Sequence, residues 1–237
     1  MSIQVNRMVN GELSESESIA IDIETQGFDG AGDDEVTVVG LYPSSESDTP
    51  VSLLNVGGDL DTVSETALVE YFDAQGIDTL HIILCESEAK LLDNGLRAVV
   101  EKLDSDQRLI GYNAEKWAGG FDFPFLRTRF IKNGIDWYFN GIYYCDFINE
   151  IQNHLNTQQN GDEHNDLDGA HDLLVDNDTE DPFEDSGEAV TKYNTGEYAP
   201  VIHHCHADVK RTIDLFELVL EYTPAREPSE LKDSHYL

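Results

Sequence analysis

A chain of 237 residues with 48 acidic and 14 basic side chains carries a formal net charge of −34, yet 40% of it is apolar, which excludes disorder along the whole length. The length suits one domain with a large insertion, or at most two small domains. Such charge repels nucleic acid at long range in dilute buffer, but at 1 M salt the screening length is only about 3 Å, so acidity excludes no polyanionic substrate.

Residues 18–25 read as a strand. Side chains alternate along it, so Asp22 and Glu24 point one way and Ile21 and Ile23 the other. Two acids held together in apolar surroundings repel each other and lose solvation, and a divalent cation with oxygen ligands relieves both costs. The alternative is an edge strand that turns its acids to water, and the later segments weaken it. Residues 26–35 form a Gly- and Asp-rich turn into a second strand at 36–42, an antiparallel hairpin. After a polar loop at 43–50 come a short strand at 51–55, a helix at 64–75 ended by Gly76, and a core strand at 79–84. Ser87 starts an amphipathic helix with Leu92, Leu96, Val99, Val100 and Leu103 on one face. A strand at 109–112 follows, and this order implies a crossover onto a parallel neighbour.

Pro124 fits a first helical turn, so Asp122 falls at or near the start of a helix running to about Lys132; alone, it reads as a helix cap. Asn113 and the pair Gly119 and Gly120 suggest a loop whose backbone approaches a ligand closely. Residues 142–147 make a last strand ending near Asp146. From 152 to 198 the pattern turns polar, with only 171–175 apolar enough for a short helical turn, and this insertion either folds over the site or stays mobile. Pro200 opens a final helix to Tyr222 that buries Cys205, Val209, Ile213, Phe216 and Leu220; the tail at 223–237 is expected to be flexible. Cys85, Cys145 and Cys205 are widely spaced and odd in number, which suits a reducing cytoplasm. No apolar run approaches transmembrane length and no leader core opens the chain, so a cytoplasmic protein without a membrane partner is expected.

The acids now form a series: Asp22 and Glu24 on the first strand, Asp122 opening a middle helix, Asp208 inside the last. This resembles the DEDD exonuclease family of the ribonuclease H-like fold, and within it the predicted exonucleases similar to the family B polymerase proofreading domain. The first motif is Asp22-Ile23-Glu24-Thr25, the second Tyr112-Asn113 with Phe121-Asp122-Phe123-Pro124-Phe125-Leu126 and Arg129, the third His204-Cys205-His206-Ala207-Asp208. The resemblance implies a single α/β domain over 1–222, a ribonuclease H-like mixed sheet of antiparallel hairpin plus parallel strands, flanked by helices. It implies a 3′-to-5′ exonuclease in which Asp22, Glu24, Asp122 and Asp208 hold two divalent cations, Mg²⁺ or Mn²⁺, around a scissile phosphate. DNA or RNA 3′ ends, preferably single-stranded, are the implied partners, met by Thr25, Tyr112, Asn113, Phe121 and Arg129; Arg127 and Lys132 are further candidates for phosphates. The acidic excess is similar to that of proteins from halophilic archaea.

For the general base, His204 stands four before Asp208, where one branch of the family has Tyr, and His203 stands five before, where another has His. If the helix includes both, only His204 shares a face with Asp208, and an imidazole near its ordinary pKa of about 6.5 suits the role. If the helix starts later, His203 is the candidate. His203, His204 and His206 crowd one turn too closely to converge on a tetrahedral zinc. A catalytically weak nucleic-acid-binding or accessory module is the alternative function, and the intact set of four acids favours the enzyme.

Overall fold

The structure, a computed structural model, describes residues 2–6, 17–103, 107–115, 120–175, 179–185, 187–222 and 234–236. Runs rich in Ile, Val and Leu become the strands Ser2–Asn6 (β1), Ser18–Thr25 (β2), Val36–Pro43 (β3), Val51–Asn55 (β4) and Thr79–Cys85 (β5), with shorter Arg108–Gly111 (β6) and Tyr143–Asp146 (β7). Among the described residues eight strands share one sheet, in the order β1-β5-β4-β3-β2-β6-β7 and then Ser234–Tyr236 (β10); Gln158–Gln159 (β8) and Asp162–Glu163 (β9) make a separate hairpin. β3 runs antiparallel to β2 and β4, while β6 lies parallel to β2 and β7 parallel to β6. This is the expected α/β architecture, a mixed sheet of antiparallel hairpin plus parallel strands flanked by helices.

The helices are Glu65–Ala74 (α1), Glu88–Lys90 (α2), Arg97–Val100 (α3), Asp122–Asn133 (α4), Ile148–His154 (α5), Leu167–Leu174 (α6), Gly187–Asn194 (α7) and Tyr198–Tyr222 (α8). Leu91–Leu96 joins α2 to α3 with π spacing, so the helix read at 87–103 is one rod with a widened middle. Gly95 lies in that middle, where a Cβ would stand 2.8 Å from Leu53 Cδ2. The rod therefore rests directly on the sheet and buries Leu92, Leu96, Val99 and Val100.

Alternation along β2 sets the two faces. Ile19, Ile21 and Ile23 join the core shared with the rod and with Phe123, Phe125 and Phe130 of α4. Ala20 belongs to the opposite core, with Val209, Ile213 and Phe216 of α8, and Asp22 and Glu24 share its side. α8 crosses β2 and β3, and Gly40 permits the approach: a Cβ there would lie 2.7 Å from Cys205 Sγ.

The structure corrects or adds to several of these readings. The crossover from β5 does not reach β5's neighbour, because β4, β3 and β2 lie between it and β6. β1 escaped the sequence reading: five residues with Ile3 and Val5 alternating carry too little pattern, and their pairing with β5 is non-local. The stretch expected to be flexible at 223–237 contains β10, antiparallel to β7; residues 223–233 and 237 lie outside the described residues. The insertion, expected either to fold over the site or to stay mobile, carries α6, α7 and the β8-β9 hairpin, and Tyr193 donates to the Asn55 carbonyl at 2.8 Å. Leu220, expected on the buried face of α8, is only half-buried.

Candidate functional site

Three elements deliver the four acids. Asp22 and Glu24 project from β2 toward α8, Asp208 faces them from α8 one turn after His204, and Asp122 opens α4. Asp122 is not the cap of α4: Phe121 occupies that position, and the carboxylate is left to the site. Oxygens of Asp22 and Glu24 and the Cys205 sulfur lie within 4.8 Å of one another, as do donor atoms of Glu24, His204 and Asp208. Asp122 stands in the electrostatic field of Glu24, Asp146 and Asp208.

Burial and mutual repulsion act together here. Burial first, then Asp122 and Asp208, raise Asp22 well above the carboxylate range. Burial also raises Glu24, with Asp22 and Asp208 adding to it and His204 opposing, and it raises Asp122 beside Glu24 and Asp146. Asp208 is raised to about 6 by burial, against the pull of His204 and Arg211. A set of hard oxygen donors that resists ionisation in the absence of counter-charge fits Mg²⁺ or Mn²⁺. The cationic groups paired with these acids among the described residues are His204, with Nε2 at 3.6 Å from Glu24 and 3.8 Å from Asp208, and Arg211, 3.1 Å from Asp208.

The helix begins at Tyr198, so both candidate histidines lie inside it and face different ways. His203 turns to α1, with Nδ1 3.2 Å from the Tyr71 hydroxyl, and is not brought to the acids. His206 packs against Tyr42, the rings tilted with centres 5.4 Å apart. Only His204 joins the carboxylates. Its ordinary pKa does not survive: burial alone would lower it, but Asp181, Glu24 and Asp208 outweigh burial and raise it to about 10. Beside the bare acids the ring is thus drawn toward its protonated form.

The remaining candidates divide. Thr25 and Phe121 line a cleft of about 210 Å³ with Asp22, Glu24, His204 and Asp208. Tyr112 is drawn away, its hydroxyl donating to the Asn165 carbonyl at 2.8 Å. Asn113 holds a left-handed turn (φ 56°), and its N–H donates to Asp146 at 2.9 Å. The reading of the glycine pair as a ligand approach is corrected for Gly120, where a Cβ would overlap the Asn113 carbonyl: the glycine closes the loop on itself. Gly119 lies outside the described residues. Arg129 is corrected too. Its guanidinium is buried against Glu88 at 2.7 Å and donates to the Gly30 and Gly32 carbonyls, so it holds the turn after β2 and does not face the cleft. Arg127 is likewise engaged, by Glu115 at 2.5 Å.

The chain is similar to NrnC of Brucella melitensis. The two share 15% identity over 94% of this chain and 82% of that one, with a TM-score of 0.48; the same protein bound to pGG gives 14%, 93%, 87% and 0.40. Escherichia coli Exonuclease I in complex with a dT13 oligonucleotide matches at 18% identity over 89% of this chain and 42% of that chain, with a TM-score of 0.41. No family model and no curated protein matches the sequence.

Three residues of the site went unread in the sequence. Phe28 stands 87% exposed at the cleft mouth, edge-on to Phe121 at 5.3 Å. An aromatic in a Gly-rich turn three residues after Thr25 was the available signal. Asp181 accepts from His204, and Arg211 pairs with Asp181 and Asp208. Arg211 sits three residues after Asp208, on the same helical face, and that spacing was legible.

Proposed function

We propose that this chain is a divalent-cation-dependent 3′-to-5′ exonuclease that shortens single-stranded or frayed ends of DNA or RNA. The observation that carries the reading is the meeting of Asp22, Glu24 and Asp208 on one cleft, with Asp122 in their electrostatic field and the pKa of all four shifted upward. These four would hold Mg²⁺ or Mn²⁺. When bound, such cations supply Lewis-acid charge to a phosphodiester and lower the pKa of water. The order of the three motifs along the chain supports the same reaction class.

The chain's own side chains account for the rest. Phe28 and Phe121 offer aromatic surface at the mouth, and an unstacked terminal base of any identity can lie on it. His204 turns Nε2 to Glu24 and Asp208, where it can exchange a proton with a reacting oxygen once their charge is offset. The acidic surface fits work in concentrated salt, where screening brings a polyanion to a polyanionic protein.

The test is digestion of 5′-labelled single-stranded DNA and RNA in molar KCl with Mn²⁺, Mg²⁺ or chelator. Stepwise shortening with cation, none with chelator and none by Asp208→Asn is the expected result. Wild-type protein that releases nothing under either cation would replace the enzyme with a nucleic-acid-binding accessory module.

A further inference from the structure

The polar insertion supplies a carboxylate that the motif pattern does not contain. Both oxygens of Asp181 face His204 Nδ1, at 3.0 and 2.9 Å, and the two side chains are 8% and 9% exposed. Asp181 is itself held: Arg211 Nη1 donates to it at 2.9 Å and the Phe183 N–H at 2.9 Å. Arg211 also reaches Asp168 at 2.7 Å and Asp208 at 3.1 Å, and its Nη2 donates to the Thr179 carbonyl at 3.1 Å. The Phe183 ring packs against the imidazole with centres 5.3 Å apart. His204 is thus gripped on the Nδ1 side, with Nε2 left toward Glu24 and Asp208.

We infer that Asp181 is the positioning residue of this site, keeping the proton on Nδ1 of His204 and the ring turned so that Nε2 meets the acids, with Arg211 fixing Asp181 in place. Which imidazole nitrogen is free to work is set by the hydrogen bond the other one makes. A buried carboxylate with an arginine behind it makes that bond directional. The insertion is on this account part of the active site, joined to α8 through Asp168, Thr179, Asp181 and Phe183. What Nε2 does rests on the nuclease reading; the bond to Nδ1 does not.

Two readouts separate these. In metal-free protein labelled at histidine nitrogen, with His204→Gln identifying the resonance, wild type shows a downfield, slowly exchanging Nδ1–H proton. Asp181→Glu keeps it and Asp181→Ala loses it. In cleavage with Mn²⁺, Asp181→Ala lowers kcat about 10–100-fold with KM unchanged, as for other carboxylates that orient a working histidine. Asp181→Glu recovers most of the loss, and Asp181→Ala added to His204→Gln slows the reaction no further. Asp181→Asn, which keeps the size and one acceptor, moves the Nδ1–H resonance upfield and serves where the alanine variant fails to fold. An Nδ1–H resonance unchanged in Asp181→Ala or Asp181→Asn overturns the inference, as do losses that multiply in the double variant. Wild-type protein without nuclease activity would remove the proposed function, and the resonance would still decide the Asp181 bond.

Discussion

Replacing Arg129 with methionine tests the division between residues that hold the cleft and residues that work in it. Arg129 and Glu88 meet inside the protein at 2.7 Å, with side chains 7% and 2% exposed. Removing one partner of such a pair costs about 3–5 kcal/mol, because the other charge stays buried without compensation. Glu88 keeps the Val36 N–H at 2.8 Å and the Asn133 amide at 2.6 Å, which argues for the lower end. The Gly30 and Gly32 carbonyls lose their donor as well, which returns the loss to about 4 kcal/mol. At about 2–4 °C per kcal/mol for a chain of this size, the melting temperature falls by about 8–16 °C. Thermal unfolding followed by circular dichroism in molar KCl measures it, and Arg129→Met/Glu88→Gln should recover part of the loss because the stranded charge is gone. KM for an oligonucleotide should stay that of the wild type per folded molecule. A variant that melts within about 2 °C of wild type but binds substrate poorly would refute the assignment and return Arg129 to the phosphate.

Phe28→Ala should raise KM for single strands about 5–150-fold, from a stacking contribution of about 1–3 kcal/mol per base, and leave the melting temperature unchanged because the ring is 87% exposed. Gly40→Ala places a methyl 2.7 Å from Cys205 Sγ and 3.2 Å from Val209 Cγ1, and should cost about 1–3 kcal/mol in urea unfolding while Cys205→Ala in the same chain restores much of it. His81 is buried with its Nε2 2.8 Å from the Asn6 amide, and burial first, then Lys102, lowers its pKa. Its contribution to stability is therefore complete above its unfolded value of about 6.5 and is lost as pH falls below it toward the lowered folded value. His81→Gln should flatten the decline in unfolding free energy between pH 7.5 and 5.5, and an unchanged slope would exclude His81 as a source.

What could be read from the sequence was what local pattern encodes. Period-two alternation placed Ile21 and Ile23 opposite Asp22 and Glu24, Ser64 and Ser87 marked helix starts, and Pro200 marked the last one early enough to put His203 and His204 on different faces. Asp181 had no such mark. It is one acid among 48, and its role comes from a fold that carries it to a histidine 23 positions away. Arg129 misled because its spacing within the second motif is silent about burial, and its partner Glu88 lies 41 positions away on another element. In the insertion only a turn at 171–175 was legible: Leu167, Ala170, His171 and Leu174 have helical spacing, and Asp166 caps them by accepting the Gly169 N–H at 2.8 Å, but surrounding Asn and Asp hide the start of the stripe.

The central claim is that Asp22, Glu24, Asp122 and Asp208 are a cation site and not four more surface charges. Calorimetric titration of metal-free protein with Mn²⁺ in molar KCl addresses it, comparing wild type with Asp22→Asn/Glu24→Gln and with Asp93→Asn/Glu101→Gln, whose acids are 50% and 57% exposed. Saturable binding in wild type and in the surface variant, with its loss in Asp22→Asn/Glu24→Gln, is the predicted result. The same isotherm for all three proteins would contradict it.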